Sequence, residues 1–337
     1  MRALVLTNGN EPLNYRELPD PVPGVGEALV ELKAAALNHR DIWIQMGKYA
    51  GIRYPVILGS DGSGVVIATG MKQDAEWIGR QIVINPALHW GNSESHQDPK
   101  DFQILGLPAN GTFAEYVVVP ISNLSPKPLH MDVAESAALP LAGVTAYRAT
   151  IKRANVQPGE SVLVTGIGGG VALFALQFAM AAGASVYVTS GTEQKIRRAV
   201  ALGALGGVNY NNAGWTDELR KISWGFDVIV DGAAGDGLDS LLDLVKPGGR
   251  VVLYGATRGY ATSLTARRIF WKQINLLGST MGSPADFAQM VRFTELNVIK
   301  PVIDCCYSLE QGELAMQKMS EGIQFGKIVL RISGASG

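Results

Sequence analysis

Ser161-Val162-Leu163-Val164-Thr165-Gly166-Ile167-Gly168-Gly169-Gly170-Val171-Ala172-Leu173-Phe174-Ala175 carries the fold assignment. Its β-branched run at 162–165 reads as a buried strand, the glycines as a tight turn, and the apolar segment at 172–182, closed by Gly183, as a helix. A strand that ends in glycines and restarts as a helix offers a diphosphate two things: backbone with no side chains in the way, and the unpaired N–H groups of a helix start. Two registers of the dinucleotide fingerprint are open. Gly169-x-x-Ala172 places Ile167 at the first glycine position, whereas a start at Gly166 leaves Val171 at the last. A turn rich in glycine for structural reasons alone is the alternative. No residue from Ser161 to Thr192 is charged, a run long enough to span a bilayer, but the glycines divide it. Strand, turn, helix and strand account for it better, and no membrane contact is expected.

Downstream the alternation continues. Strands are predicted at 186–189, 226–231, 250–254 and 274–278, with a helix at 195–202 that Gly203 ends; continuous apolar runs of this kind belong to parallel strands buried on both faces. Upstream, short strand-like segments at 28–33, 64–67, 81–84 and 113–119 are separated by turns, with few helix signals, which predicts a mostly β unit. The segment between His89 and Pro108 reads as a long polar loop. A helix is predicted from Pro284 to about Leu296, and the strand at 327–332 is expected to rejoin the N-terminal β unit. A chain of 337 residues suits two domains. The expectation is an α/β protein: a Rossmann doubly wound parallel sheet at 125–283, and a mostly β domain from 1–124 and 284–337 that ends in a frayed tail at 333–337.

Composition narrows the partners. Lys and Arg number 29 against 30 Asp and Glu, so no basic excess exists to neutralise a nucleic acid backbone. Cys305 and Cys306 are adjacent, which makes neither a disulfide framework nor spaced pairs of metal ligands. A reducing, cytoplasmic setting is expected, and the turn at Asn8-Gly9 interrupts the N-terminal apolar run before it reaches signal-peptide length.

An NAD site ordinarily has a carboxylate about twenty residues beyond the glycine turn, for the ribose hydroxyl. Here the second strand ends in Thr189-Ser190-Gly191-Thr192. Ser190 is suited to donate to a 2′-phosphate and Lys195, with Arg198, to neutralise it, so NADP(H) is the expected cofactor. Glu193 is the competing feature. A solvated helix face is the bland reading of Lys195 and Arg198.

Gly26-Glu27-Ala28-Leu29-Val30, Ala36-Leu37-Asn38-His39-Arg40-Asp41, Gly59-Ser60-Asp61-Gly62-Ser63-Gly64, Gly111-Thr112-Phe113-Ala114-Glu115-Tyr116 and Ala142-Gly143-Val144-Thr145-Ala146-Tyr147 occur in that order ahead of the glycine turn. In this order and spacing the chain resembles the medium-chain dehydrogenase/reductase superfamily along nearly its whole length. The resemblance implies a GroES-like β domain, a Rossmann domain, a small-molecule substrate and a homodimer. In the zinc alcohol dehydrogenases of that superfamily, cysteine and histidine hold the catalytic metal at positions that match Asn38, Ser60 and Leu141, and none of these is a competent zinc ligand. The stretch from His89 to Pro108 also lacks the cysteines of the structural zinc loop. The sequence is thus similar to the zinc-independent quinone oxidoreductases, which carry Asn at the place of Asn38, and no metal is expected.

That similarity implies hydride transfer to a quinone or an α,β-unsaturated carbonyl, with the Asn38 amide on the acceptor oxygen; a structural hydrogen bond at a strand end is the alternative for Asn38. Thr145 resembles the threonine beside the nicotinamide, or else it packs or caps a helix. Tyr210 and Lys327 resemble residues that enclose the NADP phosphate end, with a half-buried strand-end tyrosine the alternative for Tyr210, and Gly255 is placed where the chain passes the cofactor, a simple turn being its alternative. Asp41 and Asp61 match acidic positions that support the metal in zinc-bearing relatives; pairing with Arg40 or another cation is expected for them, and no catalytic role. His89 and Trp90 are expected to face the substrate. Two other classes stay open: a non-enzymatic NADPH-binding or redox-sensing protein, and an alcohol dehydrogenase whose metal sits among His89, Glu94, His96 and Asp98.

Overall fold

The apolar runs beyond Gly159 pair side by side into a six-stranded sheet, all parallel, in the spatial order Gly206–Asn209, Ser185–Ser190, Ser161–Val164, Phe226–Asp231, Val245–Leu253, Asn275–Gly278. Strand order reverses beside Ser161–Val164, the first strand of this sheet in chain order, which is the doubly wound arrangement that opens a crevice at the carboxyl ends of the strands. Both faces are covered. Leu163, Ile229 and Val251 of the sheet pack with Leu238, Leu241 and Leu242 of the helix Gly237–Leu244. The uncharged run from Ser161 resolves into the strand Ser161–Val164, the helix Gly170–Ala181 and the strand Ser185–Ser190, as expected.

This computed structural model describes residues 1–332; the tail expected at 333–337 lies outside them. The sheet belongs to a unit formed by Gly143–Met281, while Met1–Ala142 and the chain from Gly282 onward form the other. The first boundary falls 18 residues beyond the expected 124/125, the difference between 142 and 124. Two elements explain it. Leu124–Pro126 pairs with Gln81–Ile84, and the helix Val133–Ala138 lays Ala134, Ala137 and Ala138 on Ala34, Ala36 and Val329, an all-small contact that lets helix and sheet approach closely.

In that unit a seven-stranded sheet has Glu27–Ala36 at its centre, paired with Asp61–Thr69, Tyr116–Pro120 and Lys327–Arg331. The last pairing, Val329 opposite Ala36 and Arg331 opposite Ala34, is the expected return of the C-terminal strand to the β unit. The helix Pro284–Leu296 also forms, with Ser283 accepting from the Asp286 N–H as its N-cap. A short helix, His39–Gln45, stands where no helix was expected. Trp90 is buried, edge-on to Phe102 at 5.4 Å, so it anchors the 89–108 segment and does not face a substrate. Among the described residues no helix is long and apolar enough to cross a membrane.

Candidate active site

The glycine turn is built by backbone angles that only glycine takes at ease. Gly166 (φ +64°) and Gly168 (φ +123°) swing the chain off the strand end, and Gly169 is the N-cap of the helix that starts at Gly170. No side chain caps that helix, so its first N–H groups are left for an anion. A Cβ added at Gly166 or Gly169 would meet nothing within 4 Å, which is open space of the kind a diphosphate requires. Burial favours the Gly169-x-x-Ala172 register. Ala172 is buried where helix must press on strand, whereas Val171 is only half-buried, and Ile167 takes the first position with its N–H bonded to the Thr189 carbonyl at 2.8 Å.

The end of the second strand lies against this turn. The Ser190 hydroxyl reaches the Ile167 carbonyl at 3.4 Å, and a Cβ on Gly168 would touch the Lys195 chain, with Cδ at 2.9 Å and Nζ at 3.5 Å. Tyr210 N–H donates to the Ser190 carbonyl at 3.0 Å, and its hydroxyl lies over Gly191, where a Cβ would stand 2.9 Å from it. Ser190, Lys195 and Tyr210 are therefore brought together beside Gly168. Arg198 and Glu193 are exposed on the same helix. Arg258, which sequence reasoning passed over, puts its guanidinium 4.7 Å from the Tyr210 ring centroid; it comes from the loop beyond the fifth strand, so no local signal marks it. Gly255 sits against a second loop. A Cβ there would stand 2.9 Å from the Gly232 carbonyl, so its smallness serves the packing of two loops. Thr145 is buried in the helix Pro140–Tyr147, its hydroxyl donating to the Met281 Sδ at 3.8 Å.

The other unit carries a buried polar centre. Lys327, 3% exposed, donates to the Leu37 carbonyl at 2.6 Å, Asn38 Oδ1 at 2.7 Å and Asp61 Oδ2 at 2.9 Å. An ammonium has three N–H donors, and all are spent. The expected place of Lys327 at a cofactor phosphate is therefore corrected: it is bound inside the β unit by a carboxylate 266 residues away in sequence. Asp61, fully buried, also accepts from Asn38 Nδ2 at 2.9 Å and from the Leu141 N–H at 2.7 Å. Asp61 thus has the cation expected for it, and that cation is Lys327.

Asn38 stands at the N-terminus of the helix His39–Gln45, where Asp41 accepts its N–H at 2.8 Å. Arg40 donates through Nη1 to the Ser60 hydroxyl at 2.7 Å and to the Leu105 carbonyl at 2.9 Å. Burial pushes the Asp41 carboxyl up to about 6, against the pull of Arg40, and its Oδ1 has no partner. Three of the four residues considered for a second metal site are engaged in other bonds. His96 Nδ1 lies 3.0 Å from the Gln97 carbonyl, Asp98 accepts from the N–H groups of Lys100 and Asp101, and Glu94 accepts from the Ser283 hydroxyl. No group of three or more His, Cys, Asp or Glu among the described residues is placed to hold a metal ion.

Comparison with known proteins agrees with this architecture. The zinc-binding dehydrogenase family model matches residues 170–295 and the alcohol dehydrogenase GroES-like domain matches residues 24–129. A zinc-type alcohol dehydrogenase-like protein of Leptosphaeria maculans is 34% identical, with 95% of each chain covered. A crystal structure of an NAD-dependent alcohol dehydrogenase superposes with a TM-score of 0.92 at 39% identity, over 99% of this chain and 100% of that one. The quinone oxidoreductase of Homo sapiens is 29% identical, over 96% of this chain and 94% of its own. Similarity is thus higher to proteins named alcohol dehydrogenases, and the quinone oxidoreductase branch expected from the sequence is not singled out.

Proposed function

The chain belongs to the medium-chain dehydrogenase/reductase superfamily, whose members are nicotinamide-dependent oxidoreductases, and within it we propose a particular reaction: reduction by NADPH of a small conjugated acceptor, a quinone or an α,β-unsaturated carbonyl, without catalytic zinc. When bound, the nicotinamide supplies a hydride to the acceptor, which takes one proton from water or a hydroxyl, so NADPH leaves as NADP⁺ and the acceptor gains two hydrogens.

The observation that carries this reading is the set of groups around Asp61. Zinc is held by thiolate, imidazole or carboxylate. Asn38, Ser60 and Leu141 offer an amide, a hydroxyl and an aliphatic chain, and Asp61 already holds the Lys327 ammonium at 2.9 Å. These residues do not fit a zinc ion. Without a dication, negative charge on the acceptor oxygen is spread by the acceptor's own conjugation and met by hydrogen-bond donors, a contact we assign to Asn38.

Cofactor choice follows the second strand end. Ser190 stands where a carboxylate would bind a ribose hydroxyl, and Lys195 and Tyr210 lie beside it, which supports NADPH over NADH. A homodimer is proposed as well. Asn275–Gly278 is an edge strand with Leu276 exposed, and the helix Ala266–Lys272 exposes Phe270 and Trp271, an apolar edge that a second copy would cover. Light scattering at micromolar concentration reads this directly, and a monomer sinks it.

The decisive experiment is an NADPH-consumption screen of the purified protein against quinones, enones and simple aldehydes with no added metal, alongside metal analysis. Turnover of conjugated acceptors at well under one equivalent of zinc is expected. The similarity to alcohol dehydrogenases favours a second reading, an NAD-dependent alcohol dehydrogenase with bound metal. Zinc near one equivalent, with alcohol turnover lost on chelation, would establish it and end the first.

A further inference from the structure

We propose that Lys327 is a positioning residue, an internal cation that fixes the Asn38 side-chain amide so that one N–H is presented as the donor to an acceptor oxygen. This rests on the functional reading above for what the donor contacts, and on geometry alone for how it is held.

An amide side chain has two near-equivalent orientations, and what surrounds it decides between them. Lys327 can only donate and Asp61, as a carboxylate, can only accept. Asn38 Oδ1 at 2.7 Å from the ammonium and Nδ2 at 2.9 Å from Asp61 are therefore the sole arrangement in which neither contact is repulsive. Turning the amide by half a turn would set Nδ2–H against the ammonium and Oδ1 against the carboxylate. The amide is also polarised. A cation on its oxygen draws electron density from the nitrogen and strengthens the remaining N–H as a donor.

Nδ2 carries two hydrogens, and Asp61 takes one. The other has no protein partner among the described residues, and Asn38, although only 7% exposed, is not closed off from solvent. Lys327 cannot serve a ligand itself, because its three donors end on Leu37, Asn38 and Asp61. Its influence passes through Asn38. Asp61 is held in turn by the Leu141 N–H, and the Thr112 hydroxyl fixes its carbonyl at 2.8 Å, so the centre has no slack.

The test separates charge from fold. Lys327→Met alone strands a buried carboxylate, so it is paired with Lys327→Met/Asp61→Asn, which buries no net charge and recovers thermal stability. We expect the paired variant to keep NADPH affinity within twofold while kcat falls about 10- to 100-fold, less than the roughly 100- to 1,000-fold of removing an oxyanion donor because the amide is loosened and not lost, with Lys327→Arg recovering part of it. A paired variant that is stable and as active as the parent overturns the inference. A second readout needs no substrate. The Asn38 side-chain amide ¹H–¹⁵N signals, assigned by their loss in Asn38→Asp, should be unequal in shift and exchange in the parent and converge in the paired variant; signals that do not change overturn the positioning role. Should the amide respond as expected while the parent reduces no conjugated acceptor, the positioning stands and the assignment of substrate class fails.

Discussion

The polar centre around Asp61 and the polar strand end around Ser190 are built on opposite terms. Lys327, Asn38 and Asp61 hold one another in the interior through bonds of 2.6 to 2.9 Å. At the other region the backbone bonds are ordinary, as with the Tyr210 N–H on the Ser190 carbonyl at 3.0 Å, but the hydroxyl contacts are long: the Ser190 hydroxyl to the Ile167 carbonyl, the Thr192 N–H to the Ser190 hydroxyl and the Lys195 backbone N–H to the Thr192 hydroxyl are each 3.4 Å. Bonds near 2.8 Å are made in the folding of the chain, whereas bonds at the edge of the hydrogen-bonding range are weak and give way to a better partner. The first region makes its own bonds before any ligand arrives, one Asn38 N–H aside, and the hydroxyl bonds of the second are ones a ligand can replace. Substitutions in the first should therefore appear as lost stability, and in the second as lost affinity.

The largest effect falls on the first region. Lys327→Met leaves the buried Asp61 without its cation, and removing one partner of such a pair costs about 3–5 kcal/mol of stability. Urea unfolding followed by near-UV signals reads this, and a loss under about 1 kcal/mol would mean that solvent already screens the pair. Next comes the turn itself. Gly168→Ala forces a Cβ into a backbone with φ +123° and to 2.9 Å from Lys195 Cδ, so about 1–3 kcal/mol of strain is expected, with dinucleotide affinity reduced at least about tenfold by fluorescence titration. Unchanged affinity would remove the turn from the cofactor site.

Smaller again, and opposite in kind, is Lys195→Ala. It should leave thermal unfolding where it was and raise the NADPH Kd about tenfold, the worth of one charge-assisted hydrogen bond, while NADH binding stays level. An equal loss for both nucleotides would place Lys195 at the diphosphate. A gain for NADH alone would revive the carboxylate reading of Glu193.

How much of this was legible follows the same division. The glycine turn, the strand Ser161–Val164 and the helix Gly170–Ala181 are contiguous in sequence, so periodicity and glycine placement announce them, and Ser190 and Lys195 follow at the end of the next strand and in the helix after it, whereas Tyr210 comes from the family resemblance alone. The polar centre joins residues 37, 38, 61, 141 and 327, and its closing lysine arrives only because Val329 pairs with Ala36. Register between strands some 290 residues apart is not written in any local pattern. One clue was present. A lysine that opens the apolar run Ile328-Val329-Leu330, in a chain that keeps Asp61 where zinc ligands are missing, implies a buried cation meeting a buried anion. The helix His39–Gln45 escaped for another reason: it is seven residues long and buries Arg40 and Asp41 beside Ile42 and Ile44, so it has no polar face to read.

The smallest expected effect tests whether the first region is bonded throughout. Asp41 accepts the Asn38 N–H with one oxygen and has nothing on the other, and burial raises its carboxyl from 3.8 to about 6. Between those values the folded chain keeps a proton that the unfolded chain has released. Stability must then fall as pH rises through that window, and the penalty is complete above it. Asp41→Asn cannot ionise and keeps an oxygen for the Asn38 N–H. Other carboxylates titrate alike in both proteins, so the difference between parent and variant isolates Asp41. From pH 4 to pH 5 the parent should lose about 1 kcal/mol relative to Asp41→Asn, measured by urea midpoints at each pH. Parallel curves would mean that Asp41 stays ionised when folded, with Arg40 or a water meeting its second oxygen, and the centre would then be closed on every side.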